Sequence, residues 1–495
     1  MSVNESFPNG DVAWYRASAR RRPSPRAKLL VLVGGLALGL TLACTPSPLS
    51  EADEFYHRGY YDIAAQRYLK LEALDKADDA VRKRAALAFA WSGRLKEAEP
   101  LLQSLLARPE GRDPDLVATW IDVLAITQGQ KQAEAEALKA LAEFPKSADV
   151  IRAAGTLAAQ RGELEEAREL FNRALTIDAR NAAAVANLGD LQLKMKDYPG
   201  AVKRYQEAIM LQPASPLSVR LRVQMSRIIA ESSPEQALGI LQEALSLAPD
   251  SGEVNAELGK VLSAIGMCPV AIDHLRAAVD SGLDRPDLLS TLGYCYLSQG
   301  TDGDRSALAS ARKWFERLLA REPKWRGAHT NLGMASLYAG DNESAEASFR
   351  EELALYPNSV EALSNLGRLL NEQGKGDEAR ELLERAFGLD RRQVVLASEL
   401  GGLSMQRSDY PKALEWYNKA YLLCQEAPPE HPCHIEVPYA LARLAARQKD
   451  KANGARLFLE AVRAGFSDLN RFRAEPELKL LETDSDVAAW INQPR

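Results

Sequence analysis

The chain has 495 residues, of which 46% are hydrophobic and 26% charged, and its formal net charge is -6. The hydrophobic content is ample for a packed core, whereas an acidic balance argues against sequence-independent nucleic-acid binding, which needs clustered cations. A chain of this length ordinarily contains several domains, unless it is built from repeats that pack only on their neighbours.

The N-terminus has the layout of an export signal. A basic stretch is followed by an uncharged apolar run over 29–43, which is shorter than the roughly 20 residues that a membrane-spanning helix needs. The run ends at Ala43-Cys44 and resembles a bacterial lipoprotein signal, whose cleavage leaves a lipid-modified cysteine. The resemblance implies a signal peptide over 1–43, acyl chains on Cys44, a tether over 44–50 and a lipid anchor in the outer membrane, facing the periplasm. A plain signal peptide cut near Ala43 and an uncleaved anchor are the alternatives.

A unit of about 34 residues repeats along the rest of the chain. Residues 328–333 read AHTNLG and residues 362–367 read ALSNLG. A fixed period of this length, with apolar residues three and four positions apart, predicts stacked helix-turn-helix units.

Four positions with a small or rigid residue mark the repeat unit. Gly333 falls mid-helix, where glycine costs up to about 1 kcal/mol against alanine, so we expect a neighbouring helix to approach it closely. Gly340 falls at the turn between the helices, where glycine permits left-handed backbone. Ala345 opens the second helix, and its small side chain allows the two helices to cross. Pro323 and Pro357 end successive units, because proline cannot continue a helix interior.

These positions keep step through most of the chain. Residues Ala52, Ala86, Ile121, Met225 and Arg443 replace the mid-helix glycine and predict irregular units there. The helix-opening alanine is found at Ala64, Ala98, Ala133, Ala167, Ala201, Ala237, Ala271, Ala311, Ala345, Ala379, Ala413 and Ala455. The mid-helix glycine is found at Gly155, Gly189, Gly259, Gly293, Gly333, Gly367 and Gly401.

The pattern resembles the tetratricopeptide repeat (TPR) family. That resemblance implies an all-α, right-handed superhelical solenoid of about twelve helix-turn-helix repeats over 51–466, with the first helix of each repeat lining a concave groove. Insertions interrupt the period near 300–306, where we expect a solvated turn, and near 424–438. Residues 467–495 are predicted to cap the apolar face that the last repeat would otherwise expose.

The concave groove is the predicted binding site, for a protein partner in the form of an extended peptide or a helix. Side-chain amides in the groove can read the backbone of a peptide, although asparagine is also a common residue of the repeat pattern. Aromatic and cationic side chains on the same face would anchor the partner, with ordinary interhelix packing as the alternative. The predicted groove residues are Asn187, Asn331, Asn365, Tyr294, Tyr338 and Arg368.

Four cysteines follow Cys44, and an exported chain meets oxidising conditions that favour their pairing. Cys424 and Cys433 bracket one loop and are predicted to form a disulfide. Cys268 and Cys295 are nearly equidistant from one interhelix turn and are the second candidate pair, with free buried thiols as the alternative. The histidines beside Cys433 do not complete a recognised zinc spacing, so we expect no metal and no cofactor.

The sequence predicts no catalytic activity. No nucleophile elbow, P-loop, dinucleotide fingerprint or zinc-protease motif occurs, and the repeats leave no room for a catalytic domain. The resemblance implies a membrane-tethered protein-protein interaction scaffold of a bacterial cell-envelope assembly, such as secretion, pilus, motility or polysaccharide machinery, without a small-molecule substrate. A periplasmic assembly chaperone or pilotin for an outer-membrane subunit, and a peptidoglycan- or carbohydrate-associated accessory protein, are the alternatives.

Overall fold

The computed structural model describes residues 47–57, 61–71, 74, 77–107 and 112–493. Within those ranges the chain forms 26 α-helices and one 3-10 helix, and it contains no strand. The predicted signal peptide and the predicted lipidation site Cys44 lie outside the described residues.

Helices α1 to α24 form twelve pairs, in which a first helix with an odd number packs against the second helix that follows it. The first helices are α1 Pro48–His57, α3 Asp79–Trp91, α5 Pro114–Thr127, α7 Ala148–Arg161, α9 Ala182–Lys194, α11 Pro216–Ile229, α13 Gly252–Ala264, α15 Pro286–Thr301, α17 Ala328–Ala339, α19 Val360–Glu372, α21 Val394–Gln406 and α23 Cys433–Arg447. The second helices are α2 Tyr61–Leu69, α4 Leu95–Leu106, α6 Gln130–Glu143, α8 Leu164–Ile177, α10 Tyr198–Leu211, α12 Pro234–Leu247, α14 Cys268–Asp280, α16 Arg305–Arg321, α18 Asn342–Leu355, α20 Gly376–Leu389, α22 Tyr410–Cys424 and α24 Lys451–Arg463.

Each pair packs on the next, and the first helices of neighbouring pairs also contact one another along most of the array. The first helices therefore lie closer together than the second helices and form the concave face of a solenoid. The all-α solenoid of twelve helix-turn-helix units is confirmed.

The mid-helix glycines lie where the two helices of a pair approach most closely. A Cβ atom on Gly333 would lie 2.6 Å from the ring of Phe349, and one on Gly189 would lie 2.7 Å from the ring of Tyr205. Both rings belong to the second helix of the same pair, and both residues are fully buried. The predicted close approach is confirmed, because no side chain larger than hydrogen fits without moving a buried ring.

Local sequence signals begin and end these helices. Ser147, Asn181 and Ser251 cap the first helices α7, α9 and α13, each accepting a hydrogen bond from a backbone N–H in the first turn. Gly340 adopts left-handed backbone, with φ at 86°, in the turn between α17 and α18. Ala345 is completely buried at the start of α18, so the helix crossing there requires a small residue.

Two insertions lie between the helices of one pair or of neighbouring pairs. Near 300–306, only 302–304 lie between α15 and α16, and residues 301–306 are all exposed. The second insertion leaves a loop over 425–432, since α23 begins at Cys433. Helix α1 begins at Pro48, within the segment 44–50 for which a tether is predicted.

The C-terminal segment packs against the last pair. It consists of α25 Leu469–Ala474, the 3-10 helix η1 Pro476–Thr483 and α26 Ser485–Ile491. Trp490 of α26 meets Phe458 of α24 edge to face, with 5.0 Å between the ring centroids. Buried aromatic contact of this kind removes the exposed apolar end of α23 and α24 from water.

Candidate functional site

The six predicted groove residues all lie on first helices, which are the helices that form the concave face. Tyr294 lies on α15, Asn331 and Tyr338 on α17, and Asn365 on α19. The two tyrosines are each 48% exposed, while the asparagines are half-buried. The remaining two, Asn187 on α9 and Arg368 on α19, are half-buried and exposed respectively.

Three of the six already bind other residues of the chain. Arg368 forms an ion pair with Glu399 of α21, with 2.5 Å between Nε and Oε1, and it also donates weakly to Asn365 at 3.5 Å. The Asn187 amide donates to the Thr156 hydroxyl of α7 at 3.0 Å. These contacts join neighbouring first helices, so Arg368 and Asn187 stabilise the stacking of pairs.

Asn331, Tyr338 and Tyr294 differ from that group, because their side chains make no hydrogen bond to any other described residue. Residues 331 and 338 are seven apart on α17, which places them on one face two turns from each other. Helix α15 packs on α17, so Tyr294 lies on the first helix next to α17. We call Tyr294, Asn331 and Tyr338 the tyrosine strip.

A ladder of polar contacts between first helices escaped the sequence analysis. In each contact the two residues are 30 or 31 positions apart in the chain. This separation equals the length of one repeat minus one turn of helix. Opposite charges at that spacing are a signal that could have revealed it. The contacts are Arg84–Asp53, Arg152–Asp122, Asn187–Thr156, Arg220–Asp190, Arg227–Glu257 and Arg368–Glu399.

Burial changes the proton affinity of one carboxylate in this ladder. Burial raises the pKa of Glu399, and the neighbouring Arg368 guanidinium partly opposes the increase. The Glu399 Oε2 atom is buried and accepts no hydrogen bond. Arg368 is therefore the main group that makes a buried negative charge tolerable at this position.

A cavity, which we call the N-terminal pocket, is lined by residues from Tyr61 of α2 to Arg220 of α11. Its volume is ≈ 660 Å³, within the range typical of ligand sites. Asn187 is among its lining residues, and the tyrosine strip is not. Its wall combines aromatic, acidic and basic side chains, notably Tyr61, Trp91, Asp115, Asp149 and Arg152.

Charge is unevenly balanced around the N-terminal pocket. Asp122 is neutralised by the Arg152 guanidinium, with 2.7 Å between Oδ2 and Nη2. Desolvation in the pocket raises the pKa of Asp115, which Lys83 partly offsets and which the nearby carboxylates of Asp149 and Asp113 reinforce. The unbalanced carboxylates make this part of the pocket attractive to cations.

The four C-terminal cysteines are placed in two pairs. Cys424 and Cys433 form a disulfide across the 425–432 loop, with Cα atoms 5.8 Å apart. Cys268 and Cys295 are buried thiols whose sulfur atoms are 2.6 Å apart. The first predicted pair is thus bonded, whereas Cys268 and Cys295 are free buried thiols, which was the alternative for the second pair.

A potential metal-ligand group lies beside that disulfide. Ligand atoms of Cys424, Cys433 and His434 lie within 4.8 Å of one another. Two of the three ligand atoms are the Sγ atoms of Cys424 and Cys433. These atoms form the disulfide and therefore cannot act as thiolate ligands. The group does not suit a metal ion while the disulfide is intact.

Among the helices of the described ranges, none combines the length and apolar character that crossing a bilayer would require.

The fold and the concave face define a helical-repeat scaffold for protein-protein interaction. Family models described as tetratricopeptide repeat match residues 131–184, 158–224 and 330–393. Together with the twelve helix pairs, these matches show that the chain belongs to the tetratricopeptide repeat family.

Individual relatives are distant. The chain is 22% identical over 351 residues to the protein CTR9 homolog of Arabidopsis thaliana, covering 63% of this chain and 32% of that protein. It is 30% identical over 172 residues to the cellulose synthase operon protein C of Pseudomonas fluorescens, covering 32% of this chain and 13% of that protein. The chain thus spans at most a third of the length of these two relatives. Among solved structures, Pseudomonas aeruginosa pilF is similar at 20% identity and a TM-score of 0.36, covering 50% of this chain and 94% of that one.

Proposed function

We propose that this protein is a membrane-tethered scaffold that holds an extended segment of a partner protein against the tyrosine strip, within a bacterial cell-envelope assembly. The observation that carries the proposal is the combination, on one first helix, of an exposed tyrosine ring and a side-chain amide without hydrogen bonds in the described part of the chain, with a second exposed tyrosine on the neighbouring first helix α15. Tyr338 and Asn331 project from α17 without hydrogen bonds to other described residues. Such groups supply contact area and backbone hydrogen bonds to a bound peptide.

The envelope assignment has separate support. The export-signal layout before Cys44 favours transfer out of the cytoplasm, and acyl chains on Cys44 would hold the solenoid at a membrane. A disulfide between Cys424 and Cys433 suits an oxidising compartment. The similarity to a cellulose synthase operon protein favours polysaccharide machinery as the setting.

Partner capture from detergent-solubilised membranes tests the tyrosine strip. The double variant Asn331→Ala/Tyr338→Ala should reduce the captured partner by roughly tenfold, because truncation of a central aromatic residue commonly costs this much in affinity. Its melting temperature should stay close to that of the wild type, since neither side chain supports the fold. Tyr198→Ala is the matched control, because Tyr198 is 49% exposed but lies on the second helix α10.

Equal capture by the double variant and the wild type would refute the role of the tyrosine strip. So would an equal loss of capture with Tyr198→Ala. A large fall in melting temperature with the double variant would instead assign both residues to folding.

The membrane tether has its own test. Cys44→Ser should abolish incorporation of labelled palmitate and move the protein from the membrane fraction to the soluble fraction. Membrane retention by Cys44→Ser at the wild-type level would refute lipid anchoring. Partner capture by this variant should persist, because Cys44 is remote in sequence from the tyrosine strip.

A further inference from the structure

The wall of the N-terminal pocket holds an aromatic surface in a fixed position. Tyr61 meets Trp91 edge to face with 4.6 Å between ring centroids, and Tyr56 stacks beside Trp91 at 6.3 Å. Trp91 nevertheless remains 43% exposed. An indole held by two neighbouring rings can stack on a ligand without losing much further side-chain freedom.

Two carboxylates in the same pocket form no direct ion pair with the described part of the chain, and the charges of Lys83 and Arg152 act on them only over a longer distance. Asp115 and Asp149 lie one repeat apart, in the first turns of α5 and α7. Among the described residues, no lysine or arginine lies within ion-pair distance of either carboxylate. Asp149 accepts one hydrogen bond, from the Asn181 amide at 3.0 Å, and that bond does not cancel its charge.

At the same repeat position in two other first helices, cations of the chain pair with the acid. Glu253 in the first turn of α13 pairs with Arg227 at 2.8 Å and with Arg285 at 3.0 Å. Asp287 in the first turn of α15 pairs with Arg285 and Lys260. Acids near a helix N-terminus are favoured by the helix dipole alone, but in α13 and α15 cations of the chain complete the arrangement. In the N-terminal pocket no such cation of the described residues pairs with Asp115 or Asp149, so a partner can supply one.

We propose that the N-terminal pocket binds a cationic side chain, arginine or lysine, of an extended peptide that lies along the concave face. Asp115 and Asp149 are the counter-ions, and Trp91 is the surface on which the cation stacks. This assignment rests on the proposed scaffold function but uses none of the residues of the tyrosine strip.

The chemistry of the pocket matches that occupant. A guanidinium or ammonium group is attracted to the face of an indole ring and forms charge-assisted hydrogen bonds with carboxylates. An anionic segment would meet Asp115 and Asp149 with like charge and is disfavoured. A neutral saccharide could stack on Trp91, but it would leave both carboxylates without a counter-ion.

Calorimetric titration of the full-length, detergent-solubilised protein tests the assignment. The probes are a synthetic octapeptide of alternating glycine and arginine, the corresponding glycine-glutamate octapeptide, and cellohexaose as a neutral sugar. The arginine peptide should bind, and its affinity should fall as salt is raised, because the attraction is electrostatic. The glutamate peptide and cellohexaose should show no binding.

Variants then locate the site. Asp115→Asn/Asp149→Asn should weaken binding of the arginine peptide at least tenfold, and Trp91→Ala should weaken it several-fold. Asp273→Asn is the control, because Asp273 is an exposed acid on the second helix α14. The asparagine variants preserve side-chain volume, so they remain informative even if Trp91→Ala unfolds the first pairs.

Three results would overturn the assignment: no binding of the arginine peptide, binding unaffected by Asp115→Asn/Asp149→Asn, or Trp91-dependent binding of cellohexaose without preference for the cationic peptide. Asn331→Ala/Tyr338→Ala should leave binding of the arginine peptide unchanged. Failure of the wild-type protein to bind the arginine peptide would therefore refute the pocket assignment alone. Undiminished partner capture by Asn331→Ala/Tyr338→Ala would refute the proposed function alone.

Discussion

Replacement of the mid-helix Gly333 by alanine should destabilise pair α17–α18 although alanine is the better helix former. The new Cβ would lie 2.6 Å and 2.8 Å from two ring carbons of Phe349, which is completely buried and has no space to turn away. Overpacking of a core costs about 1–3 kcal/mol, while the gain in helix propensity is at most about 1 kcal/mol. We therefore expect a net loss of about 1 kcal/mol.

The chain contains a matched control for this substitution. Gly239 also lies within a helix, α12, but a Cβ there would meet no atom within 4 Å. Gly239→Ala should stabilise the protein by up to about 1 kcal/mol, because alanine lowers the conformational entropy of the unfolded chain and favours the helix. The two variants thus have opposite expected signs.

Hydrogen exchange is the assay of choice, because a long repeat array need not unfold in one step and a single melting temperature mixes its parts. Amides of α17 and α18 should lose protection in Gly333→Ala, while those of α12 should gain protection in Gly239→Ala. If Gly333→Ala stabilised α17 and α18 as Gly239→Ala stabilises α12, the close-approach explanation of the mid-helix glycines would be refuted.

Three further substitutions or treatments test other contacts. Arg368→Ala should cost about 1 kcal/mol at pH 7 in urea unfolding. Burial raises the pKa of Glu399 in the folded protein, so the loss of stability in Arg368→Ala should be complete above that pKa. It should shrink as the pH falls and the carboxylate takes up a proton. A loss of stability that does not depend on pH would contradict the role of Glu399. Reduction of the Cys424–Cys433 disulfide should destabilise the last two pairs by about 2–3 kcal/mol, measured by thermal melting with and without dithiothreitol, and an unchanged transition would contradict this. Mild oxidation should join Cys268–Cys295, whose sulfurs are 2.6 Å apart; peptide mapping that recovers only free thiols would show the pair to be inert.

Much of the fold could be predicted because a repeat places its most informative residues within one unit. The contact between Gly333 and Phe349 spans 16 residues, and the turn at Gly340 is decided by its own backbone. Such contacts recur with the period of the sequence, so the pattern alone predicts helix pairs and their order. Ile121 shows the limit of this reasoning, because it replaces the mid-helix glycine and predicts an irregular pair. The residue 16 positions further on is the small Ala137 in place of a ring, so the larger side chain lies on the first helix and the pair remains regular.

The site was less predictable, because exposure and charge pairing depend on contacts between units. The sequence predicts that Tyr338 and Asn331 lie on a first helix, as they do on α17, but it does not reveal that Arg368 is held by Glu399 on the next first helix. The sequence likewise gives the length of the insertion near 300–306, but not that only 302–304 lie between α15 and α16.

The sequence by itself determined that this chain is a stack of helix pairs with one concave face, because a 34-residue period specifies contacts within a unit and to its neighbours. Only the tertiary structure determined where pockets form on that face. Tyr61 and Trp91 of the first pairs line a second cavity together with Ser251 and Arg285 of the seventh and eighth. Small rotations between units accumulate along the solenoid and bring together residues that no local pattern relates.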